Sequence, residues 1–168
     1  MKRLFMLVIV AGMAATSLLA QADGAASPEA LLKQVFAALE QKDNAALERL
    51  AISPDEFKKF VWPSVTAPPT GTTPEKFYKM YTVSSGVGIA DSLKLYGGRK
   101  TEVLKVTLDP PRKQAKNYRL LPGAEVSIRD ESGQDKTVRM LGGVLEHDGR
   151  YKVATYYVRP QSGETTKQ

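Results

Sequence analysis

TVRMLGGVLEHDGRYKVATYYVR, residues 137–159, decides the architecture of this chain, because it reads as one long β-hairpin against which the rest must pack. Asp148-Gly149 suits a two-residue turn with positive φ at both central positions, and the flanking runs are rich in Val, Leu and Tyr. Such a turn sets Glu146 opposite Tyr151 and Val144 opposite Val153. Strand alternation then sets Tyr151, Val153, Thr155 and Tyr157 on one face. Gly142-Gly143 permits a bulge or a sharp bend within the first strand.

Upstream of the hairpin, Ala124, Val126 and Ile128 alternate with Glu125, Ser127 and Arg129 before a turn at Glu131-Ser132-Gly133. Residues 118–121 make a shorter strand. Glu102, Leu104, Val106 and Leu108 alternate with Thr101, Val103, Lys105 and Thr107, and Asp109-Pro110-Pro111 ends that strand because proline cannot donate to a ladder. Before residue 100 the period changes to that of helices. Ser27-Pro28 caps a helix whose apolar face carries Leu31, Val35 and Leu39, with Leu32 and Phe36 beside them. Asp43 caps a short second helix with Ala46, Leu47 and Leu50, close enough to the first to form a helical hairpin.

Ser53-Pro54-Asp55-Glu56 opens a third helix with a capping box, and Pro63 predicts its end at Trp62. Thr73-Pro74-Glu75 starts a fourth element through Gly97-Gly98 with a stripe of Phe77, Tyr81, Ser84, Gly88 and Ser92. Two readings of it stand: one helix, or two segments broken near Gly86 and Gly88. Helices first and strands afterwards predict an α+β domain, its N-terminal helices packed on one face of a curved antiparallel sheet of about four to five strands.

Lys2 and Arg3 precede an apolar run over residues 4–19, and Ala20-Gln21-Ala22 offers small residues for cleavage. Residues 1–22 therefore read as a secretory leader, 23–159 as one domain and 160–168 as a polar tail. A membrane anchor is the competing reading, but the run falls short of the roughly 20 residues a span needs. The expected location is the periplasm or the exterior, with no transmembrane segment after cleavage. The chain holds no cysteine, which excludes disulfides and an N-terminal lipid-modified Cys. Its formal net charge of +6, two of it from Lys2 and Arg3, is an ordinary solubility charge and does not point to nucleic acid.

A leader, a helical hairpin, a third helix and a curved run of strands close on Gly149-Arg150-Tyr151-Lys152-Val153, preceded by Val144-Leu145-Glu146. This order resembles the nuclear transport factor 2-like superfamily, the cystatin-like cone fold, over about residues 27–159. The resemblance implies a pocket between helices and sheet. It leaves isomerases, dehydratases and non-catalytic binding or assembly modules open, since fold does not choose function.

Pocket acids, tyrosines or histidines would carry the proton transfer of an isomerase-like or dehydratase-like member. The single histidine, His147, adjoins the hairpin turn, where it is expected exposed and without a partner for a dyad or metal set. Glu146 and Asp91 are the acids to test as a base. Tyr81, Tyr151, Thr155 and Tyr157, with Tyr96 and Trp62, are candidates for a mixed apolar and hydroxyl wall around a small apolar ligand. The competing reading makes the same aromatics plain core.

The basic run at residues 112–119, with Arg112, Lys113, Lys116 and Arg119, is either a solvated loop or a contact for an anionic surface. No phosphate loop, nucleophile elbow, zinc-protease helix or other cofactor or metal motif occurs in the sequence. The expected function is thus a binding or interaction module for a small apolar ligand or an envelope protein. A pocket enzyme and an anion-attachment module are the alternatives, and the oligomeric state, homodimer included, stays open.

Overall fold

A computed structural model describes residues 24–157. The leader expected at 1–22 and the tail at 160–168 lie outside the described residues. Helix α1, Pro28–Glu40, begins where the Ser27 hydroxyl accepts the Ala30 N–H at 3.1 Å and buries Leu31, Leu32, Val35, Phe36, Ala38 and Leu39. A positive φ at Lys42 reverses the chain into α2, Asn44–Arg49, capped by Asp43. The capping box at Ser53 and Glu56 opens α3, Pro54–Glu56, as expected.

Helical structure does not stop at Trp62. A π-helical turn, Phe57–Val61, follows α3, and a 3-10 turn, Trp62–Ser64, follows that. Pro63 sits in the first turn of the new segment, where its missing N–H leaves no ladder bond unmade. The π turn packs Phe57, Phe60 and Val61 inward.

Helix α4, Pro74–Tyr96, is continuous through both glycines. Gly88 is there for closeness. A Cβ at that position would lie 2.4 Å from the Tyr156 carbonyl oxygen. The buried stripe runs through Ser85, Gly88, Ile89 and Ser92, whereas Ser84, expected on it, is exposed.

The strands are β1 (Glu102–Leu108), β2 (Lys113–Gln114), β3 (Tyr118–Leu121), β4 (Ala124–Arg129), β5 (Asp135–His147) and β6 (Arg150–Tyr156). They form one open, curved, antiparallel sheet of six strands, so the chain has the α+β architecture expected, helices followed by sheet. The six strands lie on four tracks. β3 and β4 follow one another along one side of β5, and β1 and β2 along the far side of β4 and β3. Asp148 (φ 48) and Gly149 (φ 73) make the turn read from the sequence, with Glu146 opposite Tyr151 and Val144 opposite Val153.

Both faces of the sheet are covered at the β3–β5–β6 end. Neighbours in a strand point to opposite faces. Val144 and Val153 pack with α1, α2 and the second half of α4, while Leu145 and Ala154 pack with the π turn and are flanked by Phe77, Tyr78 and Tyr81 of α4. The outer edge of β6 is also closed. Tyr151 exchanges backbone bonds with Ala25 (2.8 and 2.9 Å). Val153 donates to Leu50 and accepts from Ile52 (2.9 Å each), and Tyr156 N–H donates to the Ser85 hydroxyl at 3.1 Å.

Candidate functional site

Between β5 and β6 the pairing slips twice, once at Gly142 on β5 and once at Ala154 on β6. Each slip shifts the side-chain alternation by one residue. The expected row of Tyr151, Val153, Thr155 and Tyr157 is thereby divided. Tyr151 and Val153 face the α1 side with buried Tyr156, and Thr155 and Tyr157 face the other. Gly142 permits the crossing, since a Cβ there would meet the Thr155 methyl at 2.7 Å and Tyr157 Cβ at 3.0 Å.

A cleft opens over this slipped segment, made of two adjoining hollows of about 500 and 460 Å³. Tyr81, Arg112, Pro122, Gly142 and Thr155 line both. Val61, Val65 and Leu120 wall one end, and Ser84 and Tyr157 wall the other. Its size lies within the roughly 300–1,000 Å³ of small-molecule sites. Burial pushes the Tyr81 phenol well above the ordinary pKa, although the neighbouring Thr155 hydroxyl acts in the opposite direction. At the rim Arg139 holds Asp109 in a two-pronged ion pair, 2.8 and 3.0 Å.

Arg112 leaves the rest of the basic run to reach this rim. Its backbone N–H donates to Leu120 O at 2.9 Å, and its exposed side chain has no hydrogen bond or ion pair among the described residues. The run is not a loop as a whole. Lys113-Gln114 pairs with Leu120 and Arg119, because the two halves of the run match as a short hairpin. Lys116 and Arg119 line a different hollow of about 790 Å³, between the β2–β3 turn and the Asp148-Gly149 turn, and Lys113 lines neither. That hollow is larger than either of the two in the cleft, yet it is a groove between two exposed turns whose Arg119 is bonded to Glu146. Most of its lining residues are polar or charged.

Glu146, tied to Arg119, lies outside the cleft, and Asp91 is exposed on the second half of α4, away from both hollows. His147 is not the wet turn residue expected. Strand β5 runs through it, and its half-buried ring packs on Phe60 at 4.5 Å, with Asn117 at 3.4 Å and Asp148 at 3.2 Å. Trp62 packs edge-on against Phe77 at 5.7 Å, and Tyr96 packs against Phe36, so both are half-buried aromatics at the margin of the core and outside the cleft. Among the described residues no three His, Cys, Asp or Glu side chains gather as a metal set, and no helix is long and apolar enough to cross a membrane.

The cleft thus unites Tyr81, Thr155 and Tyr157 with Arg112, residues that the sequence placed in separate groups. Arg139 and Asp109 were missed. The available signal was a charge inside an otherwise apolar strand, VRMLGGVL, together with an acid just before Pro110-Pro111. Compared with known proteins, the chain matches no family model, no curated protein and no solved structure.

Proposed function

We propose that this chain is an exported, non-catalytic binding module of nuclear transport factor 2-like type that holds a small, largely apolar ligand in the cleft beside α4. The observation that carries the reading is the composition of the lining. Tyr81, Thr155 and Tyr157 supply hydroxyls on an apolar wall, its carboxylate Asp109 is neutralised by Arg139, and histidine is absent from the lining. General acid–base work needs a group that titrates near the working pH. Tyr81 is pushed away from neutrality by burial, and the Asp109 ion pair raises Arg139 further above its already high value. Binding is the chemistry such a wall supports.

The test uses the neutral fluorescent probe N-phenyl-1-naphthylamine. Ser84 sits exposed at the rim on α4, so Ser84→Trp places bulk over the mouth without entering the core. The wild-type chain is expected to bind the probe, and S84W to weaken it at least about tenfold with an unchanged melting temperature. Equal binding by both would refute the cleft as the site. Export is tested on the same preparation: protein recovered from the periplasm of a bacterial host should have the mass of a chain beginning at Asp23, and an uncut chain would refute it.

A further inference from the structure

The charge at the mouth of the cleft narrows the ligand class, an inference that rests on the binding reading above. Two guanidiniums, Arg112 and Arg139, line the 500 Å³ hollow together with one carboxylate, Asp109. Asp109 is fully engaged by Arg139, whose remaining reach goes to Glu125 at 3.7 Å. Arg112 has no such partner among the described residues, and its main chain is pinned to β3. The mouth therefore carries one guanidinium without a carboxylate partner among the described residues, Arg112, next to an apolar and hydroxyl wall.

We propose that the cleft takes a small amphiphile with a single carboxylate, its head bound by Arg112 at the mouth and its apolar body laid along the rings of Tyr81 and Tyr157 over Gly142. A guanidinium fork matches a carboxylate in two parallel hydrogen bonds. One unpartnered fork matches one carboxylate. Exposure of Arg112 suits this division, because the head stays at the water boundary while the chain is withdrawn from it.

The experiment is calorimetric titration of the exported, purified chain with decanoate and with 1-decanol, on wild type, Arg112→Gln and S84W. Wild type is expected to bind decanoate at least about tenfold more tightly than decanol, with the preference shrinking as salt rises. R112Q should lose that preference by weakening decanoate alone, and S84W should weaken both. Decanol binding as tightly as decanoate, or an R112Q chain that keeps the preference, overturns the carboxylate inference while leaving the cleft in place. Failure of both ligands to bind wild type, or S84W leaving both unaffected, overturns the cleft reading itself.

Discussion

Replacing Gly88 by alanine places a methyl group where the β6 backbone already is. The new Cβ would stand 2.4 Å from the Tyr156 oxygen, 2.5 Å from its carbonyl carbon and 3.0 Å from its Cβ. Unstrained carbon contacts need about 3.5–4.0 Å, so α4 must withdraw by about an ångström. Overpacking of this kind costs about 1–3 kcal/mol. Withdrawal also stretches the bond from Tyr156 N–H to Ser85, one turn earlier on the same helix, and an unpaired buried donor costs about 1–3 kcal/mol. Alanine returns up to ~1 kcal/mol of helix propensity. The net is a loss of about 3 kcal/mol. Gly86 is the internal control, because nothing lies within 4 Å of a Cβ built there. G86A should stabilise by about 0.5–1 kcal/mol. Urea unfolding followed by circular dichroism should separate the two midpoints by roughly 1.5–2 M at an m-value of about 2 kcal/mol/M. Coincident midpoints would refute the close approach of α4 to β6.

Tyr156→Phe removes a buried hydroxyl that donates to Leu47 O at 2.8 Å, and should cost about 1–2 kcal/mol in urea at neutral pH. Burial raises the Tyr156 phenol, so its share of the stability is intact below the ordinary tyrosine value of about 10 and drains as pH rises beyond it. Y156F should therefore lose less between pH 10 and 12 than wild type, and parallel curves would contradict this. At Glu56 burial pushes the carboxyl up, but the Ser53 amide and the Lys152 ammonium at 2.9 Å outweigh it and hold the pKa below its ordinary value. That contribution is present above the unfolded value and is lost as pH falls through the lowered folded one. Glu56→Gln should cost about 1–3 kcal/mol at pH 7, with the gap to wild type closing in acid. A gap of constant size from pH 7 to pH 3 would show that the charge plays no part.

Local rules carried the fold a long way. Ser27-Pro28, Ser53-Pro54 and Thr73-Pro74 each announced a helix start that is present, and Asp148-Gly149 set the register of the hairpin's tip. What escaped depends on contacts distant in sequence. The continuity of α4 through Gly88 follows from a strand almost seventy residues away, and helix propensity knows nothing of it. Gly142-Gly143 announced a bulge, but not that a second slip at Ala154 would turn Thr155 away from Tyr151. The rim pair of Asp109 and Arg139 spans 30 residues, and the separation of Arg112 from Lys116 depends on which side of a two-residue strand each falls.

The closed edge of β6 has a consequence for how the chain is made. Ala25, Leu50, Ile52 and Ser85 all wait for partners in residues 151–156, which are synthesised long after them. Contacts of such sequence separation form late, because the loop they close must be ordered before they contribute. A nascent chain without β6 lacks Val153 and Tyr156 from its interior and has no strand for Ala25 to join. Cooperative folding of residues 24–157 therefore waits until β6 has been synthesised, and the helices and the sheet then commit to the compact state together.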